Sequence, residues 1–289
     1  MKAISAALLM ALALAQPVRA DPAMWEARDA DSRIVLFGSV HMLPSGLDWR
    51  TPALDAAMNA SEHVYFETDI GPRGLAAITL KMIVSAYQTA NTPWLHLLTH
   101  VQVNQLARQA AELGIGLQAA EAMPPWLLAM QISEHQMRDA TGAGSGADFY
   151  AGVEWTLQWE LPPERKAFFE TPGEQFDMIA TGTIEEQVAQ LVAVLDQTEG
   201  GAQLDELIEA WQDGDVEGLQ KFLSPTDQLD EAMLEALLFQ RNRNWMPTVE
   251  KLLADNRESL IVVGAGHLTG AGSVLDLLEQ AGYTVSRIQ

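Results

Sequence analysis

The sequence predicts an α/β protein with a mixed central sheet, built from two strand–turn–helix–strand units at the ends of the chain and interrupted by a large helical insertion. Three observations predict this fold. Short β-rich runs occur near both ends of the 289 residues. At both ends the first run is followed by Gly-x-x-His. Between them, residues 75–140 are rich in Leu, Ala, Met and Gln at helical spacing, and strands at both ends with helices between are typical of this class.

The first unit begins with Arg33–Phe37, a β-rich run that stops at a glycine. Thr51 followed by Pro52 is typical of a helix start, because threonine caps free N–H groups and proline fits the first turn. We therefore expect a helix over residues 53–60. His63–Thr68 then predicts the second strand of this unit.

The central part of the chain is predicted to be mainly helical. Apolar residues at three- and four-residue spacing predict helices in the insertion at Leu75–Ala90, Val101–Leu113 and Pro125–Met137. A short strand is expected at Lys166–Glu170, and Thr171 with Glu174 forms the pattern of a capping box at the next helix. Later helices are expected at Ile184–Val194, Leu204–Gln212 and Asp230–Asn242.

The second unit closes the chain. Leu260–Val263 is an apolar run typical of a buried strand. A helix at Gly272–Gln280 and a strand at Tyr283–Ile288 are expected to follow it. The order of elements repeats that of the first unit, so we expect both units in one sheet.

Residues 1–20 have the pattern of a secretory signal peptide. Lys2 gives a positive start, Ile4–Ala15 is an apolar run too short to span a bilayer, and Val18 and Ala20 fit the cleavage positions. We expect cleavage after Ala20 and an exported, periplasmic protein without stable insertion in a membrane.

The composition narrows the function classes. With 39 acidic and 17 basic residues the formal charge is −22 at pH 7, and this argues against nucleic acid as a partner, since binding it takes local positive charge. The absence of cysteine excludes disulfides, thiolate zinc sites and a cysteine nucleophile. An exported enzyme has no supply of ATP and few nicotinamide cofactors. Hydrolysis, metal binding and recognition therefore remain as candidate functions.

Two Gly-x-x-His turns, Gly38–His41 and Gly264–His267, follow the first strands of the two units. Parallel strands of one sheet end at the same edge, where open α/β sheets bind their ligands. Glu67 ends the second strand of the first unit, at the same edge. Two imidazoles and a carboxylate would make an open metal site. The alternatives are two loop histidines bonded to the backbone, and an acid that acts as a helix cap or in a salt bridge.

Arg241-Asn242-Arg243-Asn244 is a rare basic cluster in this acidic chain, and it is expected at the end of a helix. Cations are favoured there by the helix dipole. The alternative is an arginine aimed at a substrate carboxylate or at an oxyanion.

Several short motifs, taken in order along the chain, resemble those of one family. They are Gly38-Ser39-Val40-His41 with Leu43-Pro44, Val64-Tyr65-Phe66-Glu67, Phe169-Glu170-Thr171 with Gln175, Trp211-x-x-Gly214-Asp215, Arg241-Asn242, and Gly264-Ala265-Gly266-His267-Leu268 with Gly282-Tyr283. In this order they resemble the TraB/GumN family, which includes PrgY and the Tiki proteins. Gly152-Val153-Glu154 departs from the family's glycine, hydrophobic residue and aspartate, which leaves the role of Glu154 open.

The resemblance implies one TraB/GumN-like domain over residues 21–289, with a fold similar to that of haem-binding ChaN and the erythromycin esterases such as EreA. Tiki proteins are metal-dependent proteases that use paired Gly-x-x-His motifs and a glutamate. The chain is therefore expected to be a metal-dependent hydrolase, and in particular a peptidase that acts on a peptide or protein.

The resemblance also implies roles for single residues. His41 and His267 would bind a divalent ion such as Mn²⁺, Co²⁺ or Zn²⁺, and Glu67 would complete the ligand set or act as general base. Arg241 would hold a substrate terminus or the developing oxyanion. The supporting residues would be Asn242 and, as an acid behind the ligands, Glu170. Two alternatives remain open: a non-catalytic binding protein for peptide, metal or haem, and a degenerate scaffold. The oligomeric state is not indicated.

Overall fold

The computed structural model describes residues 21–89, 92–140, 147–180, 182–196, 200–223 and 231–289. The expected signal peptide lies outside the described residues. The strands are β1 (Met24–Arg28), β2 (Arg33–Ser39), β3 (Leu43–Pro44), β4 (His63–Phe66), β5 (Ala147–Asp148), β6 (Lys166–Phe168), β7 (Ser259–Gly264) and β8 (Thr284–Arg287).

Helices cover most of the remaining described chain. They are α1 (Pro52–Ala60), α2 (Pro72–Thr89), α3 (His100–Glu112), α4 (Leu117–Glu121), α5 (Pro125–Ala140), α6 (Val153–Glu160), α7 (Pro172–Ala180), α8 (Ile184–Asp196), α9 (Gly200–Gln212), α10 (Val216–Phe222), α11 (Glu231–Leu234), α12 (Gln240–Ala254) and α13 (Val274–Gln280). A π-helical turn over Glu235–Phe239 joins α11 to α12. Among the described residues, none of the helices combines the length and apolarity needed to cross a bilayer.

The central sheet has the strand order β6-β4-β7-β2-β1-β8. Strands β6, β4, β7 and β2 are parallel neighbours, whereas β1 is antiparallel to both β2 and β8. The prediction of an α/β protein with a mixed central sheet is therefore confirmed. Strand β7 of the second unit lies between β2 and β4 of the first, so the two units are interleaved. Strands β3 and β5 form a separate small pair.

Two predicted helix starts have the expected local chemistry. The Thr51 hydroxyl accepts from the backbone N–H of Leu54 at 3.2 Å, and Pro52 is the first residue of α1. At α7, Thr171 N donates to Glu174 Oε2 at 2.7 Å, and Glu174 N donates to Thr171 Oγ1 at 3.2 Å. This exchange is the capping box that the sequence predicts.

Two features of the fold differ from the sequence predictions. Strand β1 was not expected, although it pairs along its whole length with β2. The helix expected to end at Asn242 continues as α12 to Ala254, so the basic cluster lies inside a helical run rather than at its end. Pro247 suggests a break, but buried Trp245 and Val249 hold this part of the helix against the sheet.

The core lies on both faces of the sheet, because alternate residues of a strand point to opposite sides. In β2, Val35 and Phe37 pack into one cluster with Trp49 and Trp211. The intervening Ile34 and Leu36 pack into the other cluster, beneath α12 and α13. The sheet is thus covered on both sides, which leaves the ends of its strands as the place for a site.

Candidate functional site

The candidate site lies at the carboxyl ends of three neighbouring parallel strands, β4, β7 and β2. Ser39 at the end of β2 pairs with Gly264 at the end of β7. Glu67 directly follows β4, and His41 and His267 lie in the turns after β2 and β7. The sheet topology therefore brings the two Gly-x-x-His turns and the glutamate to one edge.

Glu67 is buried and accepts hydrogen bonds on both carboxylate oxygens. Its Oε1 accepts from Gly264 N at 2.7 Å, and its Oε2 accepts from Gln175 Nε2 at 3.1 Å and from Arg241 Nη2 at 2.5 Å. Burial raises the pKa of the Glu67 carboxyl, but the charges of His267 and Arg241 lower that pKa by more, so it is below its usual range. Glu67 is therefore ionised at neutral pH and is a weak base.

His267 is held through both ring nitrogens. Its Nδ1 lies 2.6 Å from Asn242 Oδ1, and its Nε2 lies 3.1 Å from Arg241 Nη1. Because Asn242 Nδ2 donates to Gly272 O at 2.8 Å, the amide oxygen faces the ring. His267 therefore carries its proton on Nδ1 and a lone pair on Nε2. The side chain is 3% exposed, and burial lowers the pKa of His267 to about 4, so the ring is neutral at pH 7.

Arg241 links three side chains of the site, and all five of its N–H donors have protein acceptors. Nε and Nη2 donate to the two oxygens of Glu170 at 2.8 and 2.9 Å. Nη2 also donates to Glu67, while Nη1 donates to Leu237 O at 3.0 Å and to His267 Nε2. All of these donors are engaged by protein groups, and the expectation that Arg241 holds a substrate terminus or an oxyanion stays a prediction.

Glu170 lies behind Arg241, and its Oε1 also accepts from Trp245 Nε1 at 2.9 Å. The Trp245 ring lies 4.4 Å from the His267 ring, between centroids, and the Arg241 guanidinium carbon lies 5.0 Å from the Trp245 ring centroid. This indole packs against both Arg241 and His267, and it shields that part of the site from water.

His41 has different surroundings. Its side chain is 58% exposed, and its Nδ1 lies 2.9 Å from Glu154 Oε1. The Glu154 carboxylate raises the pKa of His41 to about 9, so the ring is protonated at pH 7 in the protein without metal. The Nε2 of His41 lies 3.8 Å from the point that a Cβ on Gly264 would occupy.

Glu154 is the site residue whose role the sequence left open. It is the second residue of α6, and its carboxylate is buried. Oε1 accepts from Ser39 Oγ and from His41 Nδ1, whereas Oε2 is buried with no hydrogen-bond partner in the described part of the chain. A buried carboxylate oxygen without a partner is costly, and a bound cation would satisfy it. The signal in the sequence was an acid at the third position of Gly152-Val153-Glu154.

A glycine places Glu154 beside the first turn. Val153 N donates to Val40 O at 3.1 Å, which docks the start of α6 on that turn. A Cβ on Gly152 would lie 2.0 Å from the His41 carbonyl oxygen, so this approach is open to glycine alone.

His41, Glu67 and Glu154 form a group that could hold a metal ion, since one ligand atom from each lies within 4.8 Å of the other two. Imidazole nitrogen and carboxylate oxygen are ligands that Mn²⁺, Co²⁺ and Zn²⁺ accept. His267 borders this group, with its Nε2 at 3.5 Å from Glu67 Oε1. Of the three expected ligands, His41 and Glu67 belong to this group together with Glu154. His267 lies outside it, with its Nε2 3.1 Å from Arg241 Nη1.

The charges of the site also fit a divalent cation. The carboxylates of Glu67, Glu154 and Glu170 are compensated by the guanidinium of Arg241 and, while it is protonated, by His41. When His41 is neutral, two negative charges remain, which a divalent ion would balance.

Comparison with known proteins gives one curated relative and one family. A curated protein described as "Metalloprotease TIKI homolog", from Amphimedon queenslandica, is 31% identical to the chain over 64 residues. The match covers 22% of this chain and 12% of that relative. No solved structure matches the chain significantly. The model of the TraB/PrgY/gumN family matches residues 23–287. The chain belongs to the TraB/PrgY/gumN family.

Proposed function

We propose that this chain is an exported metal-dependent hydrolase that cleaves a peptide or protein. The observation that carries the proposal is the unpartnered Oε2 of Glu154, buried beside His41 and Glu67. In a site that serves only stability, that oxygen would accept a hydrogen bond from the protein. In a cation site, the same oxygen would bind the ion.

In this proposal His41, Glu67 and Glu154 hold a divalent ion such as Mn²⁺, Co²⁺ or Zn²⁺. The ion supplies Lewis acidity and makes water a nucleophile at neutral pH. We assign Glu67 to ion binding rather than to general-base catalysis, because its lowered pKa makes it a poor proton acceptor.

The other residues prepare this group. Arg241 holds Glu67 in place, and Asn242 fixes the His267 tautomer whose Nε2 lone pair accepts from Arg241 Nη1. His267 could also hold the ion only if its Nε2 were free of the Arg241 N–H. We therefore propose that Arg241, Asn242 and Glu170 are positioning residues and not groups that touch the substrate.

The choice of a peptide as substrate rests on the described activity of the relative, a metalloprotease. That relative matches 22% of this chain. The carboxylate-rich site and the absence of a cysteine nucleophile fit hydrolysis that depends on a metal rather than on a covalent enzyme intermediate.

A second candidate function is a binding protein that holds a metal without turnover. The observation that favours it is the saturation of Arg241, because the cation nearest to His267 has no donor left to stabilise an oxyanion. A bound ion without peptide cleavage would select this function.

The first test is metal binding. The protein is purified without chelator, its metal content is measured by mass spectrometry, and Mn²⁺, Co²⁺ and Zn²⁺ are titrated by calorimetry. We expect one ion per chain, and an affinity about tenfold to hundredfold lower in Glu154→Gln. Glu160→Gln is the matched control, because Glu160 lies on the same helix but is exposed and paired with Arg50. Equal affinity in both variants would contradict the assignment of Glu154.

The second test is cleavage of a peptide library with added Mn²⁺ or Co²⁺ by the wild type, His41→Ala and His267→Ala. We expect activity in the wild type and loss in both variants. Equal activity in all three would exclude the proposed site. Amino-terminal sequencing of the protein from the periplasmic fraction tests the export that we propose, with Asp21 expected as the first residue.

A further inference from the structure

A row of four aromatic rings lies beside the candidate site. We call it the aromatic ladder, and it consists of Phe149, Tyr150, Trp155 and Trp159. The Trp155 ring centroid lies 5.5 Å from that of Phe149, 4.7 Å from that of Tyr150 and 5.0 Å from that of Trp159. Trp155 therefore lies between the other three rings, which belong to α6 and to the turn before it.

The ladder is built on the element that carries Glu154. Trp155 directly follows Glu154, and Trp159 lies one turn further along the same helix face. At the other end, Gly152 holds this segment against the His41 carbonyl oxygen. Asp148, next to Phe149, also pairs with Leu43 of β3, so this end of the ladder lies next to the turn that carries His41.

The outer rings of the ladder are not core residues. Trp159 is 50% exposed and Tyr150 is 63% exposed, whereas the opposite face of α6 is buried through Val153 and Leu157. Large exposed aromatic side chains in a contiguous patch mark an interaction surface. Trp and Tyr in such a patch provide rigid contact area and ring faces that attract cations.

The charge around the ladder indicates what would bind there. The chain has a formal charge of −22, and acids flank the ladder at Asp148 and Glu160, with Arg50 paired to Glu160. Carboxylates also dominate the site at the far end. A polymer with negative charge would be repelled along this path, and one with positive charge would be attracted.

We propose that the aromatic ladder is the docking strip for a basic polypeptide segment, whose Lys or Arg side chains lie over the rings of Trp159 and Tyr150. The inference rests on the proposed function only for the direction of the substrate toward Glu154. The proposed substrate is an extended and positively charged peptide.

Binding is measured separately from cleavage, so that the two proposals can fail independently. The probe is a fluorescein-labelled decapeptide of alternating lysine and alanine, titrated with full-length protein by fluorescence anisotropy in the presence of chelator. We expect Trp159→Ala and Tyr150→Ala each to weaken binding about fivefold. Trp159→Phe retains a ring face and should keep most of the affinity. Tyr87→Ala is the control, because Tyr87 is an 84% exposed aromatic residue on a different helix, α2, and it should change nothing.

The matched probe is a decapeptide of alternating glutamate and alanine, which should bind at least tenfold more weakly. Added salt should weaken binding of the lysine peptide, because it screens the attraction. Wild-type affinity in Trp159→Ala and Tyr150→Ala would overturn the proposal, as would equal binding of the two peptides, or binding of maltopentaose that the lysine peptide does not displace. If the lysine peptide binds as expected but no peptide is cleaved with any metal, the ladder stands and the hydrolase function fails.

Discussion

His41 and His267 occupy equivalent places after neighbouring strands, yet their rings are 58% and 3% exposed. His41 pairs with Glu154, which raises its pKa to about 9. His267 is enclosed by Asn242 and Arg241, and burial lowers its pKa to about 4. One motif therefore gives one charged, accessible ring and one neutral, fixed ring at pH 7.

The difference comes from residues far away in the sequence. The α6 helix brings an acid to the first turn, whereas α12 brings an amide and a guanidinium to the second. We infer a division of roles, in which His41 exchanges its proton for an ion and His267 is held ready in its neutral tautomer. Three predictions test this comparison.

The largest effect is expected at Arg241, which contacts the buried His267. Arg241→Ala leaves the buried carboxylates of Glu67 and Glu170 without their counter-charge, which should lower the free energy of unfolding by about 3–5 kcal/mol. Urea denaturation of the protein without metal measures it. Arg243→Ala is the control, because Arg243 lies on the same helix in an exposed pair with Glu235, and it should cost no more than about 0.5 kcal/mol. Similar losses in both variants would show that the buried network does not hold the site.

The second prediction concerns acid and His267. Its pKa is about 4 in the folded state and near the ordinary 6.5 when unfolded. Between these values the unfolded chain binds more protons than the folded chain, so the free energy of unfolding rises with pH across this window. The contribution is fully present above pH 6.5 and is lost as the pH falls to 4, by about 3 kcal/mol.

Urea denaturation between pH 4 and 7, with chelator, measures how the free energy of unfolding changes with pH. The side chain in His267→Gln cannot titrate, so this variant should show a much smaller change. His96→Gln changes an exposed histidine outside the site and should keep the pH dependence of the wild type. An unchanged pH dependence in His267→Gln would mean that burial does not hold the His267 ring neutral.

The ends of the central strands and the two turns were predictable, because local signals carry them. Glycine at a strand end, the spacing to histidine and the threonine-proline helix start are all patterns of a few residues. The rule that parallel strands share an edge then brought Glu67 to the two histidines. The Trp211 motif was recognised as well, and in the structure Trp211 Nε1 donates to Gly38 O at 2.7 Å, which anchors the first turn.

The remainder could not be predicted from local patterns. Whether β7 pairs between β2 and β4 depends on contacts nearly two hundred residues apart, as in the bond from Gly264 N to Glu67. Glu154 reaches Ser39 across 115 residues, and no periodicity encodes that pairing. The basic cluster was expected at the end of a helix over Asp230–Asn242, and only burial of the next turns shows that the helix continues to Ala254.

The smallest effect is expected at His41, and it concerns the exchange of a proton for an ion. Since the pKa of His41 is about 9, the ring is protonated at pH 7 and must lose that proton before it binds a metal. The apparent affinity for Mn²⁺ should therefore rise about tenfold per pH unit from pH 7 toward 9, with one proton released per ion. Calorimetry in two buffers of different ionisation enthalpy counts that proton. His41→Gln should remove the slope, whereas His267→Gln should retain it, because a ring that is already neutral has no proton to release. A slope that survives in His41→Gln would mean that the proton comes from elsewhere, and the two turns would then not divide their roles by charge.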